Sequence, residues 1–307
     1  MRPKALLQLS AVLAALVVLT ITAMLWNRPA QPALFAPAAL AGEAVRVEAE
    51  GPSGKISLER HKSGWSAAAF KDYPADGTLV ADLLGKLSKG TVSGPLTEDA
   101  ERYALFGFSA SSATRIKVAT AKASPALDFY VGKDGPDYPS AFVRLPGQAG
   151  VFQVSGVGAF ELVRAPGDWL DRKIARGPAE AVTHIAVRGT KAAWELRFSS
   201  GVWTLGRRAV PADRADSIVR PIREAAGALE ADTVAAADAA PAGAFDKPEL
   251  KVSAEASWGR AAFTVSAKKD PLSRRYVKKD GEDRVVYLVS EWKIEALRKS
   301  AAELLKK

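Results

Sequence analysis

The apolar positions of this chain follow two periods. Alternation with period two marks Lys55–Arg60 and Trp194–Phe198 as half-buried strands. Each run leads to a tryptophan beyond a glycine, Gly64-Trp65 and Gly201-Val202-Trp203, and then to a Pro-Ala-Asp triplet at 74–76 and 211–213. The tryptophans stand 138 positions apart and the triplets 137. Beyond each triplet the period lengthens to that of a helix. Leu79, Val80, Leu83, Leu84 and Leu87 form one apolar stripe, and Ile218, Val219, Ile222, Ala226 and Leu229 form the other. Asp76 and Asp213 are placed to cap these helices by accepting bonds from first-turn amides. Pro221, inside the second stripe, predicts a kink or a fresh helix start.

A third correspondence links Tyr130-Val131-Gly132-Lys133-Asp134-Gly135 with Tyr276-Val277-Lys278-Lys279-Asp280-Gly281, 146 positions on. Asp and Gly tolerate positive φ, so each predicts a turn after a strand. Further strand patterns follow at Ala141–Arg144, Val151–Val154 and Arg284–Val289. The expected fold is therefore α+β: two repeated units, at 42–177 and 178–307, of antiparallel strands with amphipathic helices packed on one face.

Ahead of the units lies an uncharged run of 22 residues, Ala5–Trp26. At 1.5 Å per residue a helix of about 20 residues crosses the ~30 Å hydrocarbon core. Arg2 and Lys4 precede it, which predicts a cytoplasmic N-terminus and a transmembrane signal anchor over 1–26. The protein is expected in the inner (cytoplasmic) membrane, its bulk periplasmic or extracellular. A cleaved signal peptide is the competing reading, with Ala39-Leu40-Ala41 as the small-residue site. The apolar run is longer than the usual ~7–15 residues, and Asn27–Ala41 intervenes. That segment, 27–41, holds three prolines and reads as a Pro/Ala-rich tether.

Composition narrows the chemistry. With no cysteine and two histidines, disulfides, thiolate nucleophiles and Cys-ligated metals are excluded, and no cofactor or metal site is expected. The net charge of +9 is carried by the ends. The first 41 residues hold three bases and no acid, and residues 251–307 hold 14 bases against 8 acids. Lys268, Lys269, Arg274, Arg275, Lys278 and Lys279 form a basic run. Edge lysines of a strand explain it as solvated charge; contact with anionic lipid headgroups or an acidic protein partner is the functional alternative. Only Tyr276 interleaves the run, so nucleic acid is not an expected partner.

Catalytic motifs are weak. Gly156-Val157-Gly158-Ala159-Phe160-Glu161 places Glu161 where a dinucleotide loop needs its third glycine, so it reads as a strand-to-helix turn. Ser266-x-x-Lys269 and Ser290-x-x-Lys293 lack the companion elements of serine–lysine enzymes. His61 sits in a charged turn. His184 takes the strand face opposite Ile185 and Val187, and no Gly-x-Ser-x-Gly elbow supports a triad on it. Trp65, Trp194 and Trp203 are expected in the core. Of the less regular Trp169, Trp258 and Trp292, one is a candidate for a binding surface.

The succession of strand, Trp, Pro-Ala-Asp and amphipathic helix, then Tyr103–Phe108 and the strand Arg115–Thr120, resembles the domain-of-unknown-function 4340 family. Asp168-Trp169-Leu170-Asp171-Arg172-Lys173 resembles the short helix that closes the family's first unit. The resemblance covers Val45 to Leu305, and departs at Phe106-Gly107-Phe108, where a Tyr-Gly-Leu-type turn is expected. It implies a single-span envelope protein of no established activity, often encoded beside ABC-type permeases, with no catalytic residues to carry over. The reading that results is a non-enzymatic, membrane-anchored accessory subunit that binds a protein partner. Its rival is an exported cell-envelope hydrolase using serine or carboxylate chemistry, and a third reading is a spacer between membrane and wall.

Overall fold

The computed structural model describes residues 33–109 and 112–306. The expected membrane segment, Ala5–Trp26, lies outside them. Among the described residues no helix is long and apolar enough to cross a membrane.

The first unit contains β1 (Ala33–Leu34), β2 (Ala44–Gly51), β3 (Gly54–His61), β4 (Gly64–Ala67), β5 (Tyr73–Pro74), helix α1 (Gly77–Lys89), β6 (Thr91–Thr97), β7 (Thr114–Thr120), β8 (Leu127–Asp134), β9 (Ser140–Arg144) and β10 (Val151–Ser155). Its sheet runs in the order β1-β6-β10-β9-β8-β7-β2-β3-β4-β5. The second unit contains β11 (Val182–Gly189), β12 (Ala193–Ser199), β13 (Val202–Leu205), β14 (Arg208–Ala209), helix α2 (Ala215–Gly227), β15 (Thr233–Ala236), β16 (Leu250–Ala256), β17 (Gly259–Lys269), β18 (Arg275–Lys279) and β19 (Val285–Val289). Its order is β14-β13-β12-β11-β16-β17-β18-β19-β15. Apart from β1 the two orders are the same, read from opposite ends, and every pairing is antiparallel. The duplication is thus a duplication of topology.

Strand alternation sets the inner faces. Val47 and Ala49 of β2, Ile116 and Val118 of β7 and Phe129 and Val131 of β8 are buried, as are Ile185, Val187, Val252, Ala254, Phe263 and Val265 in the second unit. The predicted helix stripes join them: Val80, Leu83, Leu84 and Leu87 from α1, and Ile218, Val219, Ile222 and Ala226 from α2. One continuous apolar cluster runs through both units. At ~25 cal/mol per Å² such burial is the main force holding the sheets to their helices.

Several expectations need correction. The Pro/Ala-rich tether does not extend to Ala41: Ala33–Leu34 pairs with Thr91 and Val92, and Ala36 and Leu40 are buried in the core. Leu40, the middle of the small-residue triplet, therefore serves as an anchor of the first unit. Asp76 caps α1, accepting from the Thr78 and Leu79 amides at 3.1 Å each. Asp213 caps nothing and lies in a 3₁₀ turn, Ala212–Arg214. The cause is a two-residue offset. The amide that bonds the tryptophan carbonyl belongs to Ala75 in one unit and Val210 in the other, so the second triplet starts after that bond. Helix α2 runs through Pro221 without a fresh start. The Lys-Asp-Gly correspondence joins strands that are not equivalent: Tyr130 lies on β8, whose counterpart by sheet order is β17, whereas Tyr276 lies on β18.

Asp168–Lys173 is not a closing helix. After a 3₁₀ turn, Pro166–Trp169, the chain runs extended as a strap between the units. On one side the Asp76 amide donates to the Trp169 carbonyl and the Asp171 amide to the Pro74 carbonyl. On the other, the Ile174 amide donates to the Leu229 carbonyl and the Ala231 amide to the Arg172 carbonyl.

Candidate functional site

The basic run is not gathered into one patch. Lys268 donates to the Ala242 carbonyl at 2.7 Å, and Lys269 pairs with Glu291 at 3.0 Å. Arg274 binds Asp270 through two nitrogens, at 2.8 and 2.6 Å. Lys278 pairs with Asp283 at 2.7 Å. Arg275 has a side chain only 9% exposed and bridges Glu249 at 3.2 Å and Glu291 at 2.8 Å. Arg298 reaches the same two acids, so the cluster pins the C-terminal segment onto β18. Lys279 is half-buried on the same strand face as Arg275, four residues along; burial and the nearby Arg176 lower its pKa. In the main these cations are satisfied within the fold.

The other singled-out motifs also take structural roles. Glu161 accepts from the Gly158 amide at 3.1 Å and pairs with Lys86, closing a strand-to-helix turn. Ser266 is buried and donates to the Ala244 carbonyl at 2.7 Å. Ser290 and Lys293 converge on Asp232, the Ser290 amide at 2.5 Å and the ammonium at 2.7 Å. Burial pushes the Asp232 carboxyl up, but these bonds outweigh it and hold the pKa below the usual carboxylate value. His61 is exposed. His184 stands on the outer face with Glu255 at 3.3 Å and Glu195 at 3.6 Å.

Where the units meet, the strap brings together groups that are far apart in sequence. Tyr73 and Tyr287, each 1% exposed, share a hydroxyl–hydroxyl bond of 2.7 Å, and the Tyr73 hydroxyl donates to the Asp171 carbonyl at 2.9 Å. Burial pushes both phenols above their ordinary pKa. Arg284 stacks over the Tyr73 ring and bonds the Asp72 carbonyl, while Glu282 holds its guanidinium. These groups bond to one another and lock the junction; sequence spacing carried no sign of them.

A cleft of about 530 Å³ lies between α2 and the segment 291–299. Its apolar strip is Pro221, Ala225, Ala228 and Ala296, rimmed by Glu224, Glu230, Lys293 and Lys299. Trp292 stands on this rim and is 72% exposed. Of the three irregular tryptophans it is the one on the surface: Trp169 is fully buried, and Trp258 is half-buried with its Nε1 donating to the Pro178 carbonyl at 3.2 Å. An exposed aromatic beside a small-residue strip with a charged rim has the composition of a protein-contact hot spot. In the first unit the corresponding helix, Ala159–Leu162, is held to α1 by the Glu161–Lys86 pair.

Taken together these features define a duplicated two-sheet α+β protein with a tied junction and an open interhelical cleft. The family described as Domain of unknown function (DUF4340) matches residues 65–243, more than half of the chain, and the protein belongs to that family. The matched span is narrower than Val45–Leu305 but takes in both tryptophan–triplet segments. No curated protein and no solved structure matches the chain.

Proposed function

We propose that this protein is a non-catalytic, membrane-tethered accessory subunit of an envelope or ABC-type transport complex, and that the α2 cleft holds its protein partner. The observation that carries the reading is Trp292, largely exposed over the 530 Å³ cleft. A large aromatic in water is a cost unless a partner covers it, and buried aromatics dominate binding energy at such contacts. The uncharged run Ala5–Trp26 behind Arg2 and Lys4 supports the tether and an extracytoplasmic domain. The transport assignment draws on what the family resemblance implies. The hydrolase rival would use His184, which faces Glu195, Glu255 and Arg197 on the outer sheet face.

The test is a photo-crosslinking amino acid at position 292 in the full-length protein in native membranes, with Tyr138, exposed on the first unit, as the control position. The expected result is an adduct with a permease subunit from position 292 and none from 138. Adducts that do not differ between the positions would overturn the reading.

A further inference from the structure

Because the two sheets share one strand order, each position on one outer face has a counterpart on the other. Trp65 and Trp203 align β4 with β13, which places Glu59 opposite Arg46 in one unit and Arg197 opposite His184 in the other. Four residues along, Glu50 faces Arg115 in the first unit, and Arg188 faces Lys251 in the second. Between these rows the first unit sets Glu48 beside Lys117 and Lys117 beside Asp128; the second sets Ala186 beside Ser253 and Ser253 beside Ala262.

The consequences differ sharply. The first face neutralises itself: Lys55 pairs with Glu50 at 3.2 Å, Arg46 with Glu59 at 2.9 Å, and Arg115 grips Asp128 with two bonds of 2.9 and 2.7 Å. On the second face an acid has become Arg188, directly opposite another cation. Arg188, Lys251 and Arg260 are exposed, and none of their side chains makes a hydrogen bond or ion pair with another described residue, Arg260 lying opposite Glu255 in the register without pairing with it. Like charges directly opposite across strands destabilise a sheet. The small middle row hollows the surface into a trough of about 310 Å³ floored by Ala186, Ser253 and Ala262, with Thr264 and Asp280 in its wall. An arrangement that costs stability, and that the other copy of the same fold does not have, points to a ligand.

We propose that this trough binds a phosphorylated saccharide. Arg188, Lys251 and Arg260 supply charge for the phosphate. Ser253 and Thr264 supply hydroxyls, and Asp280 supplies a carboxylate that accepts bonds from sugar hydroxyls. The volume, at the lower end of small-molecule sites, suits one sugar unit. An acidic protein segment fits less well: β11, β16 and β17 are interior strands with no free edge, and Glu195 and Asp280 close the ends of the middle row with negative charge. The assignment does not rest on the accessory-subunit reading.

The test is calorimetric titration of the full-length protein, in a sugar-free polyoxyethylene detergent, with glucose 6-phosphate, glucose, inorganic phosphate and a poly-glutamate peptide. The variant is Arg188→Glu, which installs the pairing the first unit already uses and is therefore expected to fold. Saturable binding of glucose 6-phosphate, tighter than glucose or phosphate and at least tenfold weaker in R188E, is the expected result. Equal affinity in R188E, or no saturable binding, overturns the site. Phosphate binding as tightly as the sugar phosphate, or the peptide binding in its place, overturns the saccharide.

Discussion

The tyrosine pair at the junction offers a test of how the units are joined, because its two hydroxyls are not equivalent. Tyr73 donates to the Asp171 carbonyl, so in the shared bond Tyr287 is the donor and Tyr73 the acceptor. Tyr287→Phe removes one donor and leaves Tyr73 bonded to Asp171; a net loss of about 1 kcal/mol is expected. Tyr73→Phe strands the buried Tyr287 hydroxyl and the Asp171 carbonyl together, and an orphaned buried group costs ~1–3 kcal/mol. The loss for Tyr73→Phe should therefore be about 2–3 kcal/mol. The double variant should be no worse than Tyr73→Phe alone, since the stranded hydroxyl is gone. Urea unfolding followed by tryptophan fluorescence gives all three values, with unchanged slopes as the check on comparability. A loss for Tyr287→Phe equal to or above that for Tyr73→Phe would refute the donor assignment. The pH axis gives a second reading. Both phenols are raised in the folded state, so their contribution is complete below the unfolded value near 10 and is lost as pH rises beyond it. The double variant should flatten that alkaline limb.

Three further outcomes follow from the geometry. Arg275→Met leaves Glu249 and Glu291 facing each other; loss of a buried partner costs ~3–5 kcal/mol, and because Lys269 and Arg298 remain, about 2–3 is expected from the urea midpoint. Asp232→Asn should flatten the acid limb of stability: its folded pKa is depressed, so its contribution is present above the unfolded value of roughly 4 and lost as pH falls through the lower folded one. Gly167→Ala should loosen the junction, since a Cβ there would lie 1.8 Å from the Val234 carbonyl oxygen; faster amide exchange at Thr233–Ala236 would report it, and unchanged exchange would refute it.

The duplication was legible because Trp65 and Trp203 hold equivalent places in equivalent hairpins, and the helix stripes because periodicity reports burial directly. Other features could not be read for local reasons. Lys-Asp-Gly is generic turn chemistry, so it matched the end of β8 to the end of β18 across a shift of one strand. Lys268–Lys279 looks like a basic patch only while its acids, Glu249, Asp270, Asp283 and Glu291, are assigned no position. Asp168–Lys173 alternates charge as a surface helix does, yet it is drawn out straight by backbone partners on both sides. The segment after Pro32 has linker composition, but Leu40 finds a core that no local pattern announces. The cleft at Trp292 was half-visible: irregular spacing marked three tryptophans, and only the packing of α2 against the C-terminal segment distinguishes them.

The strap has a mechanical consequence. Its bonds to Pro74 and Asp76 on one side and to Leu229 and Ala231 on the other lie across the chain direction, so a pull along the strap loads them in shear and they must yield together. A peeling load would break them one at a time. Tension applied between the units along that direction therefore meets a clamp whose bonds share the load. For such a load the strap couples the two sheets as a bracket does.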